Sequence, residues 1–183
     1  YRSAHNSDCP PGCVSGNLSP CGIGCTDDTD DFWEFITALE ERFAPDWAGK
    51  ARFRISSLEP GQLTEQGVDV LGKSQLIAPH LHLSLQSGSD AVLARMGRGH
   101  YCVADVSRGL EKLGRVWPRF GLGADIICGF PGENEDEHAQ TVKLLEALPF
   151  SYAHIFPYSK RPHTLAAKMA GQIEGPIKKQ RAA

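Results

Sequence analysis

The apolar positions of this chain change period several times, and each change marks an element. From Asp31 onward, Phe32, Phe35, Ile36, Leu39 and Phe43 recur at helical spacing, with Asp30 or Asp31 as the cap and Pro45 as the stop. Arg52 to Leu58 reads as a strand, and Leu63 to Leu76 as a helix weakened by Gly67 and Gly72. His80 to Leu85 alternates leucine with polar residues, the mark of a second strand. Ser89 is placed to cap a short helix through Met96, and a further helix covers Val103 to Leu113. Gly121 to Cys128 is a buried strand interrupted only by Asp125. Glu133 to Leu148 is a helix with acids in its first turn, where the helix dipole favours them, and Pro149 ends it. The last strand is Tyr152 to Phe156.

Helices alternate with strands and no hairpin signal separates them, so the strands must be parallel and joined by right-handed crossovers. The expected fold is α/β, a partial (β/α) TIM-like barrel. Ligand sites in such folds lie at the carboxyl ends of the strands. Here those ends are polar and rich in glycine: Gln86-Ser87-Gly88-Ser89 after one strand, Gly129-Phe130-Pro131-Gly132 after the next, and Pro157-Tyr158-Ser159-Lys160-Arg161 after the last. Gln86, Ser87 and Ser89 can hold a ribose or an amino-acid moiety, or can form an ordinary turn with a helix cap. Asp125 needs a partner or a wet cavity, because an unpaired acid in an apolar strand costs several kcal/mol; it is placed in the cavity. Lys160 and Arg161 suit RNA phosphates, or a solvated basic loop.

The 183 residues, 41% hydrophobic and 22% charged, suffice for one core, and a net charge of −3 does not by itself announce a nucleic-acid binder. No apolar run approaches the roughly 20 residues that span a bilayer, so a soluble, cytoplasmic protein is expected. Residues 1–30 carry Cys9, Cys13, Cys21 and Cys25 among prolines and glycines and read as irregular. Residues 31–174 are the expected barrel, and 175–183 a basic tail leading to a further domain. Because the chain starts at Tyr1 and ends in a basic run, it reads as part of a longer protein. His80 and His82 point the same way along their strand, but no acid or cysteine shares their spacing. They are expected to be hydrogen-bonded interior residues, with no metal site.

The segments HLHLSLQSGSD, MGRGHY, GADIICGFPGENEDE and HIFPYSKRPHTLAAKM, in this order across residues 51–181, resemble the radical S-adenosylmethionine (SAM) methylthiotransferases. The resemblance implies SAM and a 4Fe-4S cluster as cofactors, tRNA as partner, and N-terminal and C-terminal domains beyond this chain. It places the SAM ribose at Gln86, Ser87 and Ser89, the methionyl carboxylate at Arg98, and adenine against backbone near Ile127, with Phe156 and Tyr158 flanking. Ser56-Ser57-Leu58-Glu59-Pro60 resembles the branch acting on threonylcarbamoyladenosine, where other branches carry His at the position of Glu59. His163 stands where glycine is usual, and Asn134 where Thr is common. The family cluster needs Cys-x3-Cys-x2-Cys. Cys9-x3-Cys13 is followed by Gly16 at the third position, and Cys21-x3-Cys25 by Asp28, so no catalytic or cluster-binding residue is assigned. A binding module that keeps the pocket without the cluster, and an enzyme acting on a ribosomal-protein aspartate, are the alternatives.

Overall fold

The computed structural model describes residues 28–183. Cys9, Cys13, Cys21 and Cys25, and most of the expected irregular segment, lie outside the described residues. Helix α1 (Asp28–Trp47) contains Pro45 instead of stopping before it. The missing N–H falls in the exposed last turn, and the ladder resumes beyond it with Ala48 N donating to Ala44 O at 3.0 Å. The buried stripe also departs from expectation. Trp33 and Ile36 face the core, whereas Phe35 is 61% and Phe43 41% exposed.

Trp33 explains Gly67 in the next helix. A Cβ on Gly67 would come within 2.5 Å of the indole, so only glycine lets the helix pass this close. The indole N–H donates to the carbonyl of Gln62 at 2.9 Å, the last residue of a short turn at Pro60–Gln62. Helix α2 (Glu65–Lys73) then begins at Thr64, whose hydroxyl accepts from Gly67 N. It ends before Leu76 because Glu40 of α1 takes the amides of Gln75 and Leu76, at 3.1 and 3.0 Å, and turns the chain into the sheet.

Four parallel strands follow in the order β1 (Phe53–Leu58), β2 (Ile77–Gln86), β3 (Gly121–Cys128) and β4 (Tyr152–Pro157). Their crossovers are α2, the pair α3 (Asp90–Arg95) and α4 (Val103–Val116), and α5 (Glu135–Ala147). The side-chain period of 2 divides each strand between two faces. Leu81, Leu83 and Leu85 of β2 and Leu122, Ala124 and Ile126 of β3 are fully buried in one core with Leu71, Val106 and Leu113 of the helices. The other face is open, with Tyr152, His154 and Phe156 exposed.

The expected basic tail is instead a helix, α7 (Gly175–Arg181), following the single turn α6 (Leu165–Lys168). It folds back on the carboxyl end of the sheet. The Arg181 side chain is only 7% exposed and pairs with the buried Glu133 at 3.1 Å. A buried carboxylate requires such a partner, and this one fixes α7 against the turn after β3.

Candidate functional site

The carboxyl ends of β2 and β3 meet at one edge, as Gln86 pairs with Ile126 in the parallel register. Gln86 itself adopts a left-handed conformation (φ 65°), bending the chain sharply out of the strand. The serines that follow do not project into open space. Ser87 and Ser89 are buried. The Ser87 hydroxyl lies 3.3 Å from that of Thr141 on α5, which also accepts from Gly88 N at 3.0 Å, and Ser87 Oγ accepts from Ser89 N at 3.1 Å. A Cβ on Gly88 would lie 2.6 Å from the Thr141 backbone. This turn is clamped onto α5, and its hydroxyls serve the clamp. Ser89 occupies the N-cap position of α3, yet its hydroxyl makes no cap bond and is buried without a partner.

Arg98 lies beside the ends of β1 and β2, where Gly97 (φ +77°) turns the chain after α3. Its Nη1 donates to both carboxylate oxygens of Glu59, at 2.7 and 2.8 Å, and to Ser84 O at 3.3 Å. His100 Nε2 joins the same carboxylate at 3.1 Å. Burial is the largest influence on the guanidinium and pushes its pKa down, but the hydrogen bond and charge of Glu59 outweigh it, leaving Arg98 more basic than usual. Tyr101 donates to Leu85 O, and burial pushes its hydroxyl up to about 12.

The β3 turn uses left-handed glycines at Gly129 and Gly132. Glu133 accepts from Gly129 N and from Arg181, closing the turn from below. Glu137, buried in the first turn of α5, takes both guanidinium arms of Arg95 at 3.0 and 2.6 Å. It also completes a capping box with Asn134, the residue standing where the family commonly has Thr. Beyond the turn, Ile127 is half-buried and paired with Phe156, which is 50% exposed on the open face. Tyr158 packs edge-on against Phe130 with the Lys178 ammonium over its ring, and its hydroxyl is buried without a partner. Lys160 and Arg161 are exposed in the loop after β4. His163 adopts φ 67°, which is why glycine is the easier residue there.

The open face carries a cluster that sequence spacing did not expose. His82 Nε2 lies 3.0 Å and His154 Nδ1 3.2 Å from Asp125 Oδ1. His82 Nδ1 and His80 Nε2 each lie 3.1 Å from the Tyr152 hydroxyl. The acid that the histidines lacked in sequence comes from β3 by register, with Asp125 paired to His154 and Gly123 paired to both His82 and Tyr152. The signal was in the glycines. A Cβ on Gly123 would lie 2.3 Å from the Tyr152 ring and 2.7 Å from His82, and one on Gly121 would lie 2.8 Å from His80. Bare backbone at these two positions lets the rings meet across β3. Burial, then Arg54 and His82, push the His80 pKa down.

A parallel four-stranded sheet with helical crossovers, its polar groups gathered at strand ends and along one open face, defines a domain of the α/β class. This chain belongs to the radical SAM superfamily, whose sequence profile matches residues 22–145. It is 42% identical over 151 residues to the threonylcarbamoyladenosine tRNA methylthiotransferase MtaB of Bacillus subtilis, covering 82% of this chain and 32% of that protein. It is 41% identical to the MtaB of Thermotoga maritima, covering 73% and 30%. The tRNA-2-methylthio-N(6)-dimethylallyladenosine synthase of Magnetococcus marinus is 42% identical, with 73% and 30% covered. The chain thus spans about a third of the length of these relatives. Among solved structures, TsrM of Kitasatospora setae, a radical SAM methyltransferase, shares the fold with a TM-score of 0.50 and 15% identity, covering 69% of this chain and 22% of that one. Among the described residues, no helix is long and apolar enough to cross a membrane.

Proposed function

We propose that this chain is the SAM-binding part of the radical SAM domain of a tRNA methylthiotransferase, and that its substrate is threonylcarbamoyladenosine in tRNA, modified in the cytoplasm. The observation that carries this reading is the 42% identity to a protein of that activity over 82% of the chain. Glu59, the branch-marking residue, adds support because it sits at the candidate site on Arg98.

SAM fits the described residues in part. Phe156 offers an exposed ring for adenine beside Ile127, and Gln86 an amide at the strand end. Arg98 suits the methionyl carboxylate, which must share or displace the Glu59 carboxylate already on the guanidinium. Ser87 and Ser89 would act through the turn they hold rather than by direct contact. Lys160 and Arg161, exposed after β4, would meet tRNA phosphates.

A 4Fe-4S cluster does not fit the cysteines among the described residues. Cys128 is 2% exposed, and burial pushes its thiol up to about 11. Burial and Asp105 raise the thiol of Cys102 as well. Neither is a ready thiolate, and no step through a cluster is derived from them. The absent third cysteine after Cys9 and Cys13 favours one second reading, a binding module without the cluster.

A chimera tests the assignment. Residues 51–181 replace the matching segment of the Bacillus subtilis relative, and tRNA nucleosides from a strain lacking that enzyme are measured by mass spectrometry. Methylthiolated threonylcarbamoyladenosine is expected, falling at least tenfold with Arg98→Ala, since a charged hydrogen bond contributes about 1.5–3 kcal/mol. Unmodified threonylcarbamoyladenosine, or product on dimethylallyladenosine instead, overturns it.

A further inference from the structure

We propose that His82, Asp125 and His154 form a binding site for a divalent first-row transition metal, held by two imidazole nitrogens and one carboxylate oxygen on the open face of the sheet. The inference does not depend on the tRNA substrate. Three potential ligand atoms, one from each residue, lie within 4.8 Å of one another. Two of the three separations, 3.0 and 3.2 Å, are already close to the edge of a coordination tetrahedron. With bonds of about 2.0–2.1 Å to nitrogen and oxygen, that edge is about 3.3 Å. A metal at the centre needs only small side-chain rotations.

The surroundings are those of a supported site. In metal centres the second ring nitrogen of a histidine ligand is held by an outer partner that fixes tautomer and ring orientation. His82 has this partner: its Nδ1 is bonded to the Tyr152 hydroxyl, which is in turn bonded to His80 Nε2. Ligation through Nε2 leaves Nδ1 of His82 facing the Tyr152 hydroxyl, which holds the ring in orientation. Among the described residues, His80 Nδ1 is buried without a partner. Gly121 and Gly123 clear the space in which the rings assemble.

Burial is graded across the three ligands. The His82 side chain is 9% exposed, that of Asp125 30% and that of His154 57%. The metal would be anchored on the inner histidine and reached from the outer one, leaving a coordination position toward solvent. Two histidines and a carboxylate with an open position suit zinc or ferrous iron better than calcium or magnesium, which prefer oxygen.

The test uses the full chain carrying Cys9→Ser, Cys13→Ser, Cys21→Ser and Cys25→Ser, so that thiols outside the described residues do not bind the probe. Zinc binding is titrated against a chromophoric chelator, and the bound metal is examined by X-ray absorption. One equivalent is expected, with nitrogen and oxygen scatterers at about 2.0–2.1 Å and no sulfur near 2.3 Å. Asp125→Asn and His154→Ala should each weaken binding at least tenfold. Tyr152→Phe, which removes only the outer partner, should weaken it by roughly ten- to a hundredfold. His163→Ala should leave affinity unchanged. Circular dichroism checks folding, and the exposed His154 supplies the decisive variant if Asp125→Asn unfolds the chain. A sulfur shell, zinc affinity unchanged by His154→Ala, or no stoichiometric binding overturns the proposal and leaves a purely hydrogen-bonded cluster.

Discussion

Glu137→Gln cuts the tie that joins the two crossover helices beneath the β3 turn. The carboxylate accepts from both arms of Arg95 and from Asn134 N at 2.9 Å, while Arg95 also reaches Gly132 O. A hydrogen bond to a charged group contributes about 1.5–3 kcal/mol, and leaving a buried charge unpaired costs about 3–5 kcal/mol. Arg95 keeps 30% of its side chain exposed, so water recovers part of the loss. Glutamine also preserves the size of the residue and one capping contact. The expected loss is therefore about 2–3 kcal/mol, or a drop of roughly 1–1.5 M in urea midpoint for an m-value of about 2 kcal/mol/M. The hydrogen bond from Arg95 is the chief cause holding the Glu137 carboxyl below its ordinary 4.5, against burial, which pushes it up. A depressed carboxylate stabilises in full above its unfolded value and loses that contribution as pH falls through the folded one. The gap between native chain and variant should thus be constant from pH 6 to 8 and narrow only below about pH 4.5. A midpoint shift under about 0.3 M at pH 7, or a gap undiminished at pH 3, refutes the account.

Two further outcomes follow from the packing of β3. Gly123→Ala should cost about 1–3 kcal/mol of unfolding free energy, because its Cβ would lie 2.3 Å from the Tyr152 ring; adding Tyr152→Ala should restore most of the loss, and simple additivity in the double variant would argue against a steric cause. Cys128, with its thiol pushed up to about 11, should resist iodoacetamide at pH 8 until denaturant is added, and peptide mapping that finds it alkylated in the folded chain would contradict its burial.

Strand positions were legible because burial on one face imposes an alternation that survives in the sequence. β3 falls on Gly121–Cys128 as its pattern predicts, and β2 (Ile77–Gln86) extends the predicted His80–Leu85 strand at both ends. Helix ends were less legible because part of what determines them is tertiary: Glu40 reaches from α1 to the amides of Gln75 and Leu76, beside the local turn in which Ser74 Oγ accepts from Ile77 N. The Trp33 face of α1 was missed for a related reason. Its partner is a glycine, which has no hydrophobic signature of its own, so the stripe with more aromatics looked like the buried one.

At the site, the residues that sequence placed at the strand ends do gather there, but their roles divide according to which face each side chain takes. Ser87 lies in the helix layer and Gln86 at the open edge, although they are adjacent, because the left-handed turn at Gln86 reverses the chain between them. Arg98 meets a carboxylate, as its chemistry predicts, but the carboxylate belongs to Glu59, some 39 residues away. Asp125 shows the same logic from the other side. Placing an acid in an apolar strand is costly enough that partners must exist, so the sequence implied them without saying where they were. They come from two strands, one residue each, on either side of the position Asp125 occupies. A one-residue slip of β4 would turn His154 to the opposite face and leave the carboxylate with His82 alone. The cluster is therefore a product of register, set where the backbone ladder of β3 and β4 pairs Asp125 with His154.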